Sequence, residues 1–144
     1  MTKDQIFELM NSNLAFYLAT VENGEPRVRG MMLYKADETG IIFHTGAFKD
    51  VYRQIIANPN VQMCFNDMAK GIQIRVRGML EEIMDTNLKD EISNHPTRAF
   101  LKKMHESSPI EDFYNSIRVF KMKNGIANIW TFDTNFASKE DIQL

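Results

Sequence analysis

The chain has 144 residues, 44% of them hydrophobic, and a formal net charge of −2 at pH 7. This length suits one domain with a real core, so the sequence predicts a single domain over residues 1–144. The balanced charge argues against nucleic acid or a membrane surface as a partner, and no apolar stretch approaches the roughly 20 residues that span a bilayer. The single Cys64 excludes an internal disulfide. We therefore expect a cytoplasmic protein without a metal site.

The first third of the chain is predicted to form a short helix followed by antiparallel strands. Thr2 and Gln5 have the spacing of a capping box, and apolar residues then recur at helical intervals. Two turn sequences follow, each lying between runs rich in β-branched and aromatic residues. The predicted strands are Ala15–Val21, Pro26–Tyr34 and Ile41–Thr45, with turns at Glu22–Glu25 and Asp37–Gly40.

The rest of the chain continues the β pattern with helices inserted between the strands. The predicted helices are Lys49–Ala57, Asp85–Ser93 and Thr97–Met104, and the predicted strands are Val61–Asn66, Gly71–Ile83, Ile117–Lys123 and Ile126–Phe132. The tail from Asp133 to Leu144 is predicted to be exposed. Six or seven strands joined mainly by hairpins favour a mainly β protein with short helices, built as a small antiparallel barrel.

The segment from Pro26 to Lys49 has the composition of an anion site. Arg27 and Arg29 lie within a strand, and a lone buried charge is costly, so each needs a partner. The next strand ends in Thr45, and Lys49 stands at the start of a helix. A hydroxyl, an ammonium group and a helix N-terminus together suit a phosphate. Arg29 is interpreted either as a phosphate ligand or as a surface ion pair with Glu25 or a neighbouring strand.

Several pieces of the chain, in this order and spacing, resemble the pyridoxamine 5′-phosphate oxidase-like superfamily of FMN-binding split barrels. The similarity is greatest to its general stress protein and nitroimidazole reductase-like subgroups, and it spans about Gln5 to Phe132. The resemblance implies a six-stranded antiparallel split β-barrel and a homodimer with FMN bound between the subunits. The pieces are Gly24–Pro26, Arg29, Thr39–Thr45, Lys49, Asn58–Val61 and Gln73–Gly78.

The resemblance also implies roles for individual residues. The phosphate ligands would be Arg29, Thr45 and Lys49, and the backbone of Gly30, Met31 and Met32 would run along the flavin ring. His44 stands where the true oxidases have a tyrosine, Gln73 would contact the polar edge of the ring, and Trp130 would come from the other subunit. Tyr34 and Phe48 replace two basic positions of the true oxidases, and their C-terminal Trp-Arg motif is missing. We therefore expect an activity other than pyridoxamine phosphate oxidation.

The expected function is an FMN-dependent oxidoreductase that reduces a small acceptor, with NAD(P)H as a candidate donor. FMN carries the redox chemistry in its own ring, so the absence of a catalytic motif agrees with this expectation. Two alternatives remain open. One is a noncatalytic flavin-binding stress or sensor protein, and the other is a haem-binding split barrel with His44 or His105 as the axial ligand.

Individual side chains also have simpler interpretations. His44 either donates a proton near the flavin, since its ordinary pKa is about 6.5, or only packs. Trp130 is alternatively a core residue. Cys64 is predicted to be a small buried residue, and His95 and His105 are predicted to lie on the surface. Gln73, Arg75 and Arg77 are predicted to share one strand face, opposite Ile72, Ile74 and Val76.

Overall fold

The computed structural model describes residues 1–144 and contains five α-helices and eight β-strands. None of the helices has the length and apolar character needed to cross a bilayer. A 3-10 turn lies at Pro96–Arg98. In chain order the elements are α1 Lys3–Ser12, β1 Ala15–Glu22, β2 Glu25–Asp37, β3 Gly40–Gly46, α2 Asp50–Ala57, β4 Asn60–Asp67, β5 Ile72–Ile83, α3 Thr86–Asn94, α4 Ala99–Ser107, α5 Ile110–Ser116, β6 Ile117–Met122, β7 Ile126–Thr131 and β8 Ile142–Gln143.

Six of the strands close into an antiparallel barrel. Each is hydrogen-bonded to two neighbours in the cyclic order β4-β1-β2-β3-β6-β5, and the pairing of β4 with β5 completes the ring. Strands β7 and β8 extend the sheet beyond β5. Closure removes the free edges that an open sheet of the same strands would expose. The predicted six-stranded antiparallel split barrel is confirmed, with two additional strands.

Local sequence explains the first hairpin. Asn23 and Gly24 both have positive φ, at 51° and 77°, which is the geometry of a two-residue hairpin turn. The turn pairs Glu22 with Glu25 and sets the register between β1 and β2. Side chains alternate along β1, so that Phe16 is buried while its neighbour Tyr17 is exposed.

The barrel interior is filled mainly by aromatic and branched side chains. Phe16 stacks on Phe65 with ring centroids 4.9 Å apart, and it meets Phe43 edge to face at 5.6 Å. Phe43 in turn lies 5.9 Å from Phe120. Such pairs contribute roughly 0.5–1.5 kcal/mol beyond the burial of their surface. Helix α1 covers one end of this core with Ile6, Leu9 and Met10.

The insertion between β5 and β6 has its own small core. Leu101 and Phe113 from its helices pack against Ile42 and Val119 on β3 and β6. The sequence predicted two helices in this region, and the structure contains a third, α5. This seven-residue helix follows Pro109 and is too short to show a helical period in its sequence.

The predicted exposure of the whole C-terminal tail is wrong. Ile142 and Leu144 pack against the main core, and the Leu144 backbone nitrogen donates to the Gly125 carbonyl at 2.9 Å. The middle of the tail does follow the prediction, since Phe136 is fully exposed. A strand of two residues has no periodicity, so only its pairing with β7 reveals it.

Candidate functional site

The barrel opens where β2 separates from β3. β2 pairs with β3 from Leu33 to Asp37, and from Met32 back to Glu25 it pairs with β1 instead. A cavity of about 620 Å³ lies in this opening, between residues 30–32 on β2 and 44–46 on β3. The volume falls within the range of roughly 300–1,000 Å³ typical of ligand pockets. The split of the barrel therefore creates the main candidate site.

Most of the predicted cofactor residues meet in this cavity. Ten of its seventeen lining residues are hydrophobic, which suits a flat aromatic ring. The remaining predicted residues lie elsewhere in the protomer. The predicted residues that line the cavity are Gly30, Met31, Met32, His44, Thr45 and Lys49.

The polar end of the cavity lies between β3 and α2. Thr45 is 6% exposed, and its Oγ1 is buried without a hydrogen-bond partner. Lys49 stands at the N-cap of α2, and no side chain caps the first turn of this helix. The N–H groups of Asp50 and Val51 are thus free to bind another acceptor, whereas that of Tyr52 donates to the Lys49 carbonyl. A free hydroxyl, an ammonium group and a helix N-terminus together suit a phosphate group.

His44 lies on the cavity wall as a neutral imidazole. Burial first, and then the positive charges of Arg98 and Lys49, lower the pKa of His44 to about 4. Arg98 Nε donates a hydrogen bond to His44 Nε2 at 2.9 Å. A proton on Nε2 would face a guanidinium that can only donate. This low pKa argues against His44 as a proton donor near neutral pH, and its role toward a bound molecule stays a prediction.

Arg29 lies outside the cavity lining, and its guanidinium already has protein partners. It donates to Thr20 Oγ1 at 2.8 Å and to the Leu18 carbonyl at 3.1 Å, and it also bonds Gln54 of α2. The alternative of an ion pair with Glu25 is not observed, because Glu25 pairs with Arg27 at 3.0 Å. Arg29 thus ties β2 to β1 and α2, and its contact with a phosphate stays a prediction.

Gln73 and Trp130 also lie away from the cavity, but they are neighbours. They sit opposite each other in the ladder between β5 and β7. The Gln73 amide donates to Asn66 Oδ1 at 2.9 Å, and Trp130 Nε1 donates to Asn135 Oδ1 at 2.8 Å. Trp130 is only partly buried, so it is not a core residue. The two faces of β5 follow the prediction, since Ile74 and Val76 are fully buried.

The sequence prediction missed the part of the wall that comes from the insertion. Arg98, Phe100 and Leu101 line the cavity, as does Met104 one turn further along α4. The apolar spacing in this region predicted the helix correctly. It carried no signal for the strand against which the helix packs, because that contact joins residues more than 50 positions apart in sequence.

Two further side-chain predictions are wrong. Cys64 is only partly buried, on the outer face of β4, and its Sγ accepts a hydrogen bond from Asn66. His105 is partly buried rather than on the surface: its Nε2 lies 3.0 Å from Asp90 Oδ1, and its ring meets Phe113 edge to face at 4.4 Å. The alternation along β4 places Cys64 on the outer face, whereas contacts with α3 and α5 decide the environment of His105.

The chain matches a known protein family over most of its length. The family model described as pyridoxamine 5′-phosphate oxidase matches residues 2–119. The chain belongs to this family. Pyridoxine/pyridoxamine 5′-phosphate oxidase of Brucella ovis is 32% identical over 104 residues, which are 70% of this chain and 50% of the oxidase. The chain therefore spans about half the length of the curated relatives that it matches.

Solved structures of the same fold cover nearly the whole chain. A NimC/NimA family protein from Clostridium acetobutylicum has a TM-score of 0.76 at 22% identity, over 98% of this chain and 92% of that one. A pyridoxamine 5′-phosphate oxidase-related, FMN-binding protein from Nostoc punctiforme has a TM-score of 0.72 at 14% identity, over 99% of this chain and 95% of that one. At these identities the similarity shows the fold alone.

Proposed function

We propose that this protein is a flavoprotein that binds FMN in the cavity between β2 and β3 and, as a homodimer, passes electrons to a small acceptor. The observation that carries the proposal is the Thr45 hydroxyl, which is buried without a partner beside Lys49. A buried polar group without a partner costs about 1–3 kcal/mol, and a phosphate oxygen that accepts from it would remove that cost. Membership of the family supports the same cofactor.

The residues of the cavity would hold and orient the cofactor. Thr45 and Lys49 would bind the phosphate, and the thioethers of Met31 and Met32 would pack against the ring, since methionine adapts well to aromatic surfaces. FMN, once bound, supplies the hydride and electron chemistry through its own ring. The task of the protein is then to bind, to orient and to exclude water.

The outer face of the barrel supports the homodimer. Tyr17 is 56% exposed and Val28 is 69% exposed, and together with Cys64 they line a shallow cleft on this face. Arg75 borders the same cleft, and its Nε is buried without a hydrogen-bond partner. Apolar groups and an unsatisfied donor on one surface are features of a protein interface.

A dimer across this face would also account for the predicted roles of Gln73 and Trp130. In the barrel, Tyr17 lies next to Gly30 on one side and to Cys64 on the other, so the cavity rim is continuous with the outer face. Gln73 and Trp130 lie on the neighbouring strands β5 and β7. A second copy related by a twofold axis would present its own Gln73 and Trp130 to this rim.

The charges of the cavity argue against a phosphorylated substrate beside FMN. Two basic side chains line it, Lys49 and Arg98. Arg98 is 1% exposed, and its donors are already bonded to protein acceptors. Only Lys49 is then left for a phosphate, and the cofactor would occupy it. We therefore propose an uncharged acceptor rather than pyridoxamine phosphate.

The first experiment compares FMN with riboflavin, which lacks the phosphate. Fluorescence quenching gives both affinities, and light scattering gives the assembly state. Lys49→Gln should weaken FMN binding roughly 10-fold to 150-fold, because a charge-assisted hydrogen bond contributes about 1.5–3 kcal/mol, and should leave riboflavin binding nearly unchanged. Lys70→Gln, at an exposed lysine paired with Asp67, is the matched control. Equal affinities for FMN and riboflavin in the unaltered protein would refute the phosphate site.

The same assay decides the role of Arg29. If Arg29 binds the phosphate, Arg29→Ala combined with Lys49→Ala should weaken FMN binding by a few kcal/mol more than riboflavin binding. If Arg29 only ties β2 to Gln54 and Thr20, the double variant should match the Lys49 variant in the ratio of the two affinities. In that case the double variant should be less stable to urea than the unaltered protein.

Turnover separates an oxidoreductase from a noncatalytic flavin protein. The FMN-loaded protein is mixed with NADH or NADPH and a quinone acceptor, and consumption of the nicotinamide is followed. Steady-state reduction supports the enzyme, whereas stable FMN binding without turnover supports the stress or sensor alternative. The haem alternative has less support, because His44 Nε2 is bonded to Arg98 and His105 Nε2 to Asp90. A Soret band would identify it.

A further inference from the structure

Arg98 spans the opening of the barrel. Its Nη2 donates to the Leu33 carbonyl on β2 at 2.7 Å, and its Nε donates to His44 on β3 at 2.9 Å. Leu33 is the residue at which β2 and β3 separate. One guanidinium thus bonds to both strands at the point where their own ladder ends. The third nitrogen, Nη1, donates to the Thr97 hydroxyl at 2.7 Å.

The environment of Arg98 is unusual for a charged side chain. It is 1% exposed, yet no carboxylate forms an ion pair with it. Its bonded partners are two carbonyls, a hydroxyl and an imidazole nitrogen, and its guanidinium carbon lies 5.9 Å from the centre of the Tyr34 ring. Burying a cation that is held only by neutral groups is costly, which indicates that Arg98 has a role beyond packing.

Arg98 determines which nitrogen of His44 carries the proton. Arginine can only donate, so His44 Nε2 must accept, and the single proton of the neutral ring lies on Nδ1. Nδ1 has no hydrogen-bond partner in the protein, and His44 forms part of the cavity wall. The charged groups that face the imidazole are Arg98 and Lys49, both cationic, while the residue opposite on β6 is the apolar Val119.

We propose that Arg98 is a positioning residue that bridges β2 and β3 and holds His44 in the tautomer with its proton on Nδ1, so that the cavity wall presents a neutral hydrogen-bond donor to the bound molecule. The proposal rests on the proposed function only in taking this cavity as the binding site. The donor selects a carbonyl or ring-nitrogen acceptor. Because His44 stays neutral, Lys49 remains the one cation free to bind an anionic group.

The tautomer is measurable in the protein without any cofactor. The chain has only three histidines, so long-range ¹H–¹⁵N spectra of labelled protein resolve each imidazole, and His44→Gln assigns its signals. The expected result is a neutral His44 with its proton on Nδ1 from pH 8 down to about pH 5. A His44 that titrates near its ordinary pKa, or that carries the proton on Nε2, would overturn the proposal.

Variants test whether Arg98 causes the tautomer and the low pKa of His44. In Arg98→Met the pKa of His44 should move toward its ordinary value and the Nε2–H tautomer should appear. Arg53→Met, at an exposed arginine paired with Glu22, should leave both unchanged. Arg98→Gln removes the charge and supplies an amide oxygen that can accept from Nε2, and it serves if the methionine variant does not fold. Unaltered His44 signals in either Arg98 variant would contradict the positioning role.

Binding gives the second readout. The ratio of FMN to riboflavin affinity is measured at pH 8 and pH 5.5 in the unaltered protein and in Arg98→Met. Between pH 8 and pH 5.5 the variant's ratio should rise about threefold more than that of the unaltered protein, because the pKa of His44 moves up when Arg98 is lost and part of the variant then carries a second cation near the phosphate end. The ionisation of the phosphate itself is common to both proteins and cancels. Equal ratios at both pH values would count against the proposal, whereas absence of flavin binding would refute the proposed function and leave the tautomer measurement standing.

Discussion

Replacing Thr45 with valine tests whether its unpaired hydroxyl serves a ligand or only destabilises the fold. The two side chains have nearly the same shape, so the change removes the hydroxyl and little else. Thr45 is 6% exposed, and Oγ1 has no partner within the protein. A buried hydroxyl without a partner costs about 1–3 kcal/mol, so Thr45→Val should raise the free energy of unfolding of the cofactor-free protein by about 1 kcal/mol. Urea denaturation measures this change.

The same substitution should weaken binding of the cofactor. A hydroxyl that donates to a phosphate contributes about 1.5–3 kcal/mol, so the Kd for FMN should rise roughly 10-fold to 150-fold while the Kd for riboflavin stays the same. Fluorescence quenching with the two ligands measures both. A variant that is more stable but binds FMN less tightly would show that the hydroxyl is kept for a ligand.

Thr20→Val is the matched control. Thr20 is 1% exposed, but its hydroxyl donates to Gln54 Oε1 at 2.6 Å and accepts from Arg29 at 2.8 Å. The same chemical change should therefore lower the free energy of unfolding by about 1–3 kcal/mol. If Thr45→Val destabilises the cofactor-free protein as much as Thr20→Val does, or shifts FMN and riboflavin binding equally, the reasoning about Thr45 is refuted.

Three further predictions concern the core, the glycines and pH. Phe43→Ala should lower the free energy of unfolding by about 3–5 kcal/mol in urea, while Phe136→Ala, at a fully exposed ring, should change it by less than about 0.5 kcal/mol. Gly40→Ala should lower the free energy of unfolding by more than about 1 kcal/mol, because Gly40 has φ 136° and a Cβ there would lie 2.8 Å from a β6 carbonyl. In Gly30→Ala the added Cβ would have no atom within 4 Å, so this change should alter only ligand binding. Between about pH 6.5 and pH 4 the unfolded chain binds a proton on His44 and the folded chain does not, so stability is full above pH 6.5 and falls by about 3 kcal/mol toward pH 4. His44→Gln should remove this slope in urea titrations, and an unchanged slope would show that other groups cause it.

Much of the barrel follows from short-range sequence patterns. The alternation of buried and exposed residues along β5, with Ile74 and Val76 inward, repeats every two residues and can be identified without knowing the neighbouring strands. The turn at Asn23 and Gly24 likewise depends on residues that tolerate positive φ. The succession of Thr45, Lys49 and α2 is local too, and the structure brings both side chains to one cavity.

Local sequence patterns thus predict the antiparallel strands, their hairpins and the polar end of the cavity, because each depends on residues close together in the chain. The other features of the site depend on contacts between distant segments. Arg98 and His44 are 54 positions apart, and only the folding of the insertion against β3 brings them together. The same contact lowers the pKa of His44, and a contact of β1 and α2 with Arg29 occupies its guanidinium. Burial and charge at these positions come from packing between distant segments, which no local pattern encodes.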